Sequence, residues 1–160
     1  MRKRKKTNNL TVLLFLLLPL SGCTTPSQWK ADSLVDELCA KDGGIKVYET
    51  VTLPKERFNK QGYFYVPNQG YGDKPTDEYY GVWKSKNIQV NSNGYDGNLV
   101  VYQSHYWIYQ RKDQKLLGES ISYSRRGGDL PLPAHPSSYS CYKGGLERDL
   151  INQIFLKTCN

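Results

Sequence analysis

Long hydrophobic runs are almost missing from this chain. One exists, "LTVLLFLLLPL" from Leu10 to Leu20. Eleven residues of helix reach only about 16 Å, roughly half the hydrocarbon core of a bilayer, which is too short for a permanent span. Cysteine is scarce, and Cys39, Cys141 and Cys159 have no close spacing. A zinc site asks for four nitrogen or sulfur ligands, or three and a water, so no metal or other cofactor is expected. Internal repeats and low-complexity linkers are also absent, which leaves a chain of ordinary single-domain length.

What the chain does have is a marked amino terminus. Arg2, Lys3, Arg4, Lys5 and Lys6 form a basic block ahead of the short apolar run, and small residues follow it. Those are the parts of a secretory signal peptide. The segment "LSGC" (Leu20, Ser21, Gly22, Cys23) resembles the lipobox of bacterial lipoproteins. The resemblance implies cleavage after Gly22, so that residues 1–22 are removed and residues 23–160 form one periplasmic domain. It also implies diacylglycerol on the Cys23 thiol and an acylated new amino terminus. Each buried methylene contributes about 0.8 kcal/mol, and two or more chains hold a protein stably on a bilayer. Thr24 stands where inner-membrane lipoproteins of enteric bacteria often carry aspartate, so the resemblance points to the outer membrane. The first expected partner is therefore the membrane itself, through the lipid.

The formal charge of +7 misleads. Five of the 22 basic side chains lie in the basic block, leaving 17 against 15 acids in residues 23–160. The remaining bases are interleaved with acids, as in "PKERFNK" and "QRKDQK". A phosphate-binding surface needs a clustered basic face, so nucleic acid is not an expected partner.

The periodicity of the chain changes several times. Thr25 and Pro26 can open a helix and Gly43-Gly44 can close it, with Ala31, Leu34, Val35, Leu38 and Cys39 on one face. Ile45, Val47, Val51 and Leu53 then alternate with polar residues as one half-buried strand, in which Glu49 is a misfit. A helical turn is expected at "KERFNK", a brief strand at "YFYVP", and longer strands over 79–90, 98–110 and 116–124. The turn-rich "NSNGYDG" joins the first two long strands. Leu146, Leu150, Ile151, Ile154 and Phe155 recur with helical spacing, predicting a helix over 145–158. The expected fold is α+β: an N-terminal helix, an antiparallel meander of four or five strands and a C-terminal helix packed on one face, in two layers.

An oxidising compartment favours one disulfide and one odd thiol among the three remaining cysteines. A helix over 145–158 would hold its ends about 20 Å apart, so Cys141 could not reach Cys159. Cys39 therefore pairs with Cys141 or Cys159. An antiparallel second helix brings Cys141 to the end of the first, and Cys39–Cys141 is the expected bridge.

The segment "SRRGGDLPLPAHPSSYSC" (124–141) concentrates chemistry. Arg125 and Arg126 could supply charge while Gly127 and Gly128 expose backbone N–H groups, giving an anion-binding loop that also holds Asp129 and His135. The simpler reading is a stiff loop in which Asp129 pairs an arginine. A hydrolase reading would use His135 with a hydroxyl or thiol of the same loop, but sequence proximity alone makes no triad. His105 falls within a strand and reads as a strand residue. Three tryptophans and thirteen tyrosines suit strands and also interfaces. On an uncovered sheet face they would offer a surface to peptide, glycan or protein.

"CAKDGGIKVYETVTLP" together with "RRGGDLPLPAHPSSYSC" resembles a group of small lipoproteins of Gram-negative bacteria with no assigned activity. The resemblance covers most of residues 38–160. It implies a single domain, adds weight to Cys39 and Cys141, and carries no function to transfer. The expectation is a non-enzymatic binding or accessory lipoprotein of the cell envelope with an envelope protein as partner. The competing expectations are a cell-wall hydrolase using the 124–141 loop and an inhibitor or immunity lipoprotein.

Overall fold

A computed structural model describes residues 25–91, 99–129, 137–142 and 145–158. The expected signal segment, Cys23, residues 92–97 of the expected turn, His135 and Cys159 lie outside the described residues.

The first helix, α1, runs Pro26–Asp42 and begins with a reciprocal cap. Thr25 Oγ1 accepts from the Gln28 N–H at 3.2 Å, and Gln28 Oε1 accepts from the Thr25 N–H at 3.0 Å. Gln28, Ala31, Val35 and Cys39 form its buried stripe. The Gly43 N–H closes the helix on Cys39 O at 2.9 Å.

Strand β1 (Gly44–Val47) follows, then β2 (Val51–Leu53) and a 3₁₀ turn at Lys55–Arg57. Three long strands come next: β3 (Tyr79–Asn91), β4 (Leu99–Gln110) and β5 (Lys115–Arg126). Short β6 (Ser138–Ser140), helix α2 (Leu146–Ile154) and β7 (Phe155–Lys157) complete the order. The main sheet runs β1-β5-β4-β3, with β6 sharing the β1 edge of β5, and all its pairs are antiparallel. Strands β2 and β7 pair in parallel as a separate ribbon. The α+β class, the N-terminal helix, the antiparallel meander and the helix on one face are all present.

The two helices lie on opposite faces of the sheet, so the expected two layers become three. Side chains alternate along β4. Leu99 and Val101 pack with Ala31, Val35 and Cys39 of α1, whereas Tyr106 and Ile108 pack with Leu150 and Ile154 of α2. Each helix also occupies a different end. α1 covers the Leu99 end of β4, and α2 covers the Ile108 end, where Gly118 lets it approach. A Cβ on Gly118 would lie 2.9 Å from Ile154 Cδ1 and 2.8 Å from Lys46 O. Among the described residues, half of each face is therefore left without a helix.

Three local expectations change. The predicted strand over 45–53 is two strands in different sheets, because the chain bends between them. The Tyr48 and Glu49 N–H groups both donate to Leu117 O, and Glu49 turns out to pair with Lys115. The helix predicted to 158 ends at Ile154, where Phe155–Lys157 join β2 instead. "YFYVP" forms no strand, although Phe64 and Val66 are buried in the α2 core.

Candidate functional site

The Cys39–Cys141 disulfide is formed, with a sequence separation of 102. It ties the end of α1 to the segment just after β6, beside Tyr123 of β5. The Cys141 thiol is thereby committed to the bridge.

The arginine-glycine loop packs tightly against the start of α1. The Arg125 side chain is 4% exposed and lies on the α1 face of β5. Its Nε donates to Asp32 Oδ1 at 2.5 Å, and Nη1 donates to Gly127 O at 2.5 Å and Ser137 Oγ at 3.1 Å. Asp129 accepts from the Ser137 N–H at 2.7 Å and from Gln28 Nε2 at 2.9 Å. The hydrogen bonds from Ser137 hold its carboxyl below the usual aspartate range, against a smaller opposing effect of burial. The ion pair of this loop thus joins Arg125 to Asp32 of α1. Gly127 and Gly128 both take positive φ, 80° and 81°. At Gly128 a Cβ would also lie 2.6 Å from Leu99 Cδ1, so glycine is needed twice over. Arg126 is exposed at the end of β5. Of the six loop residues singled out in the sequence, the structure gathers Arg125, Gly127, Gly128 and Asp129 around Gln28 and Ser137.

The uncovered half of the α1 face carries a second polar cluster. Glu119 accepts from the Tyr48 hydroxyl at 2.6 Å, lies 2.7 Å from His105 Nε2, and lies 3.7 Å from Lys46 Nζ. Burial pushes the Glu119 carboxyl up, but the bonds from Tyr48 and His105 outweigh it and leave it below its ordinary value. The His105 ring stacks on Trp107 with centroids 3.6 Å apart.

The uncovered half of the α2 face is different. A cavity of about 430 Å³ opens there, bounded by the sheet, Tyr142 and the first turn of α2. Its floor comes from facing residues of adjacent strands. Ser104 of β4 pairs with Ser122 of β5 and with Ser85 of β3; Tyr106 pairs with Ser120 and with Trp83; Ser124 pairs with Tyr102 and with Ser140. Neighbouring strands lie about 4.8 Å apart and same-face rows about 6.7 Å apart. A row of serines therefore crosses the sheet between Tyr102 on one side and Trp83 with Tyr106 on the other. Trp83 is 52% exposed, while Tyr106 is buried. The side chains of Ser104, Ser120 and Ser122 make no hydrogen bond to any described residue. Desolvation raises the Tyr106 phenol well above its ordinary value, and the nearby Glu147 carboxylate adds to this. Glu147 itself stands at the mouth with its side chain exposed overall, yet desolvation of its carboxyl raises it above the usual range.

The sequence did carry a signal for this groove. In "GESISYS" (118–124), serines at 120, 122 and 124 alternate with Ile121 and Tyr123, which places hydroxyls on one face and core residues on the other. Among the described residues no cluster of three or more histidine, cysteine, aspartate or glutamate side chains could hold a metal ion, and no helix is long and apolar enough to cross a membrane. Compared with protein-family models, curated proteins and solved structures, the chain matches none.

Proposed function

We propose that this chain is a lipid-anchored protein of the outer membrane, facing the periplasm, that acts by binding an envelope component in the groove on the α2 face. The observation that carries the binding role is the serine row between Trp83 and Tyr102, a polar trough with unengaged hydroxyls. A cavity of about 430 Å³ falls within the roughly 300–1,000 Å³ range of ligand sites. The basic block, short apolar run and "LSGC" support the anchor and the compartment. Binding rather than catalysis suits a groove whose described lining carries one carboxyl and several hydroxyls, without the second carboxylate of a glycosidase pair or the histidine of a triad.

Two measurements test the two halves. Mass spectrometry of the amino-terminal peptide should find it starting at Cys23 and carrying acyl mass; an unmodified terminus elsewhere overturns the anchor. A photo-reactive benzoylphenylalanine in place of Trp83 should give a discrete adduct in intact envelopes, lost when Ser122→Trp fills the groove. A yield no greater than from the same probe at exposed Trp29 of α1 overturns the groove as the binding surface.

A further inference from the structure

The chemistry of the groove narrows what it can hold. Lysine, arginine and histidine are absent from its described lining, and its only charged member is Glu147. Among the described lining residues an anionic ligand would meet one carboxylate and no counter-charge. A wholly apolar ligand would strip water from Ser104, Ser122 and the partly exposed phenols of Tyr102 and Tyr142 without replacing those hydrogen bonds. The floor is strand interior, so its backbone N–H and C=O groups are spent in the β3-β4-β5 ladder. An extended peptide, which is recognised through main-chain pairing and alternate side-chain pockets, would find neither here.

We infer that the groove binds a neutral saccharide chain, with hydroxyls on the serine row and a sugar face against Trp83. Serine and tyrosine hydroxyls each donate and accept, as sugar hydroxyls do, so one row can satisfy either direction of bond. The exposed indole of Trp83 offers a flat apolar face with a polar N–H at its edge, suited to the C–H face of a pyranose. Glu147 supplies an acceptor of two or more hydroxyls at the mouth. A second cavity, of about 450 Å³, shares Gly145 and Glu147 with the first and adds Tyr63, Tyr65 and Arg148, whose guanidinium is engaged over the Tyr63 ring at 5.4 Å and sits next in sequence to the Glu147 carboxylate. The two cavities meet at Glu147, so the cleft suits a chain of several sugar units better than a single one.

The inference rests on the proposed binding role, and a test with defined sugars separates the two. Purified full-length protein in detergent is titrated with chitotetraose, cellotetraose and maltotetraose, followed by tryptophan fluorescence and calorimetry. At least one should bind saturably. Trp83→Ala and the double change Ser104→Ala with Ser122→Ala should each weaken it tenfold or more, while Trp29→Ala leaves it unchanged. Preference for chitotetraose would assign the source to acetamido glycans of the cell-wall type, and preference for either glucan to plain glucose polymers. Each variant is first checked for the intact Cys39–Cys141 bridge and unchanged circular dichroism. Saturation by none of the three sugars overturns the saccharide assignment, as does binding indifferent to both groove variants. A Trp83 adduct to a peptide or protein in envelopes, together with no sugar binding, overturns the saccharide and leaves the binding role standing.

Discussion

Replacing Arg125 with methionine should destabilise the protein by about 3 kcal/mol. The substitution keeps an unbranched stem and removes the guanidinium. Three acceptors then lose their donor: Asp32 Oδ1, Gly127 O and Ser137 Oγ. Breaking a buried ion pair by deleting one partner costs about 3–5 kcal/mol. Asp32 is 22% exposed and regains some water, which places its share at the low end. The Gly127 carbonyl is left buried and unpaired, adding about 1 kcal/mol or more, while methionine packing against α1 returns part of that. For a chain of this length a 3 kcal/mol loss corresponds to a melting-point drop of roughly 10 °C. Urea denaturation of the oxidised protein, followed by circular dichroism, measures it. Arg125→Met combined with Asp32→Asn should cost clearly less than the sum of the single changes, because the second removes the stranded carboxylate. A loss below about 1 kcal/mol in Arg125→Met, or additive single changes, would refute a tie between α1 and the loop. It would return Arg125 to service as a free anion ligand.

Two other perturbations follow from the same contacts. Cys39→Ser with Cys141→Ser opens a link between residues 102 positions apart, for which the chain-entropy model gives about 4.7 kcal/mol, so urea midpoints should fall sharply and match those of reduced wild type. Asp129 has a folded-state pKa held below its unfolded value, so its contribution is present above about pH 4 and is lost as pH falls through the lower folded value. Urea midpoints measured from pH 6 to pH 2 should therefore fall more steeply for wild type than for Asp129→Asn, and parallel curves would count against the Gln28–Asp129–Ser137 network as the cause.

Much of the fold is legible because it is locally encoded. Thr25, Pro26 and Gln28 set the start of α1 by capping, and Gly43 sets its end, so both are signalled by residues adjacent in sequence, although Thr25 and Gln28 also bond to the 128–137 loop. The three long strands announce themselves through β-branched and aromatic alternation. The failures are all non-local. Phe155 falls at helical spacing from Ile151, but Val51–Leu53 offers an edge to pair with, and three residues leave the helix to take it. The bend that frees β2 showed only as the misplaced Glu49, whose carboxylate meets Lys115 across the hairpin end. Periodicity also could not say which face each helix would cover. Ile121 and Tyr123 serve α1, while Gly118, an odd number of residues earlier on the same strand and so on its other face, serves α2.

That diagonal placement of the helices creates the groove and sets its position relative to the proposed anchor. Thr25 follows Cys23 by two residues, a reach of at most about 8 Å. Its hydroxyl donates to Gly128 O at 2.8 Å, so the α1 start and the end of β5 would form the edge of the domain nearest the proposed lipid. Ser122 lies four residues back from Arg126 along β5, about 13 Å. On the proposed anchoring, the serine row would stand at most about 20 Å from the lipid attachment, on the α2 face. With so short a tether, the proposed anchor would let the groove reach only what lies in the first few nanometres above the headgroups. On that proposal, a saccharide held in the groove would be borne by the membrane or belong to a polymer that comes down to it, and the placement of the groove would match that height.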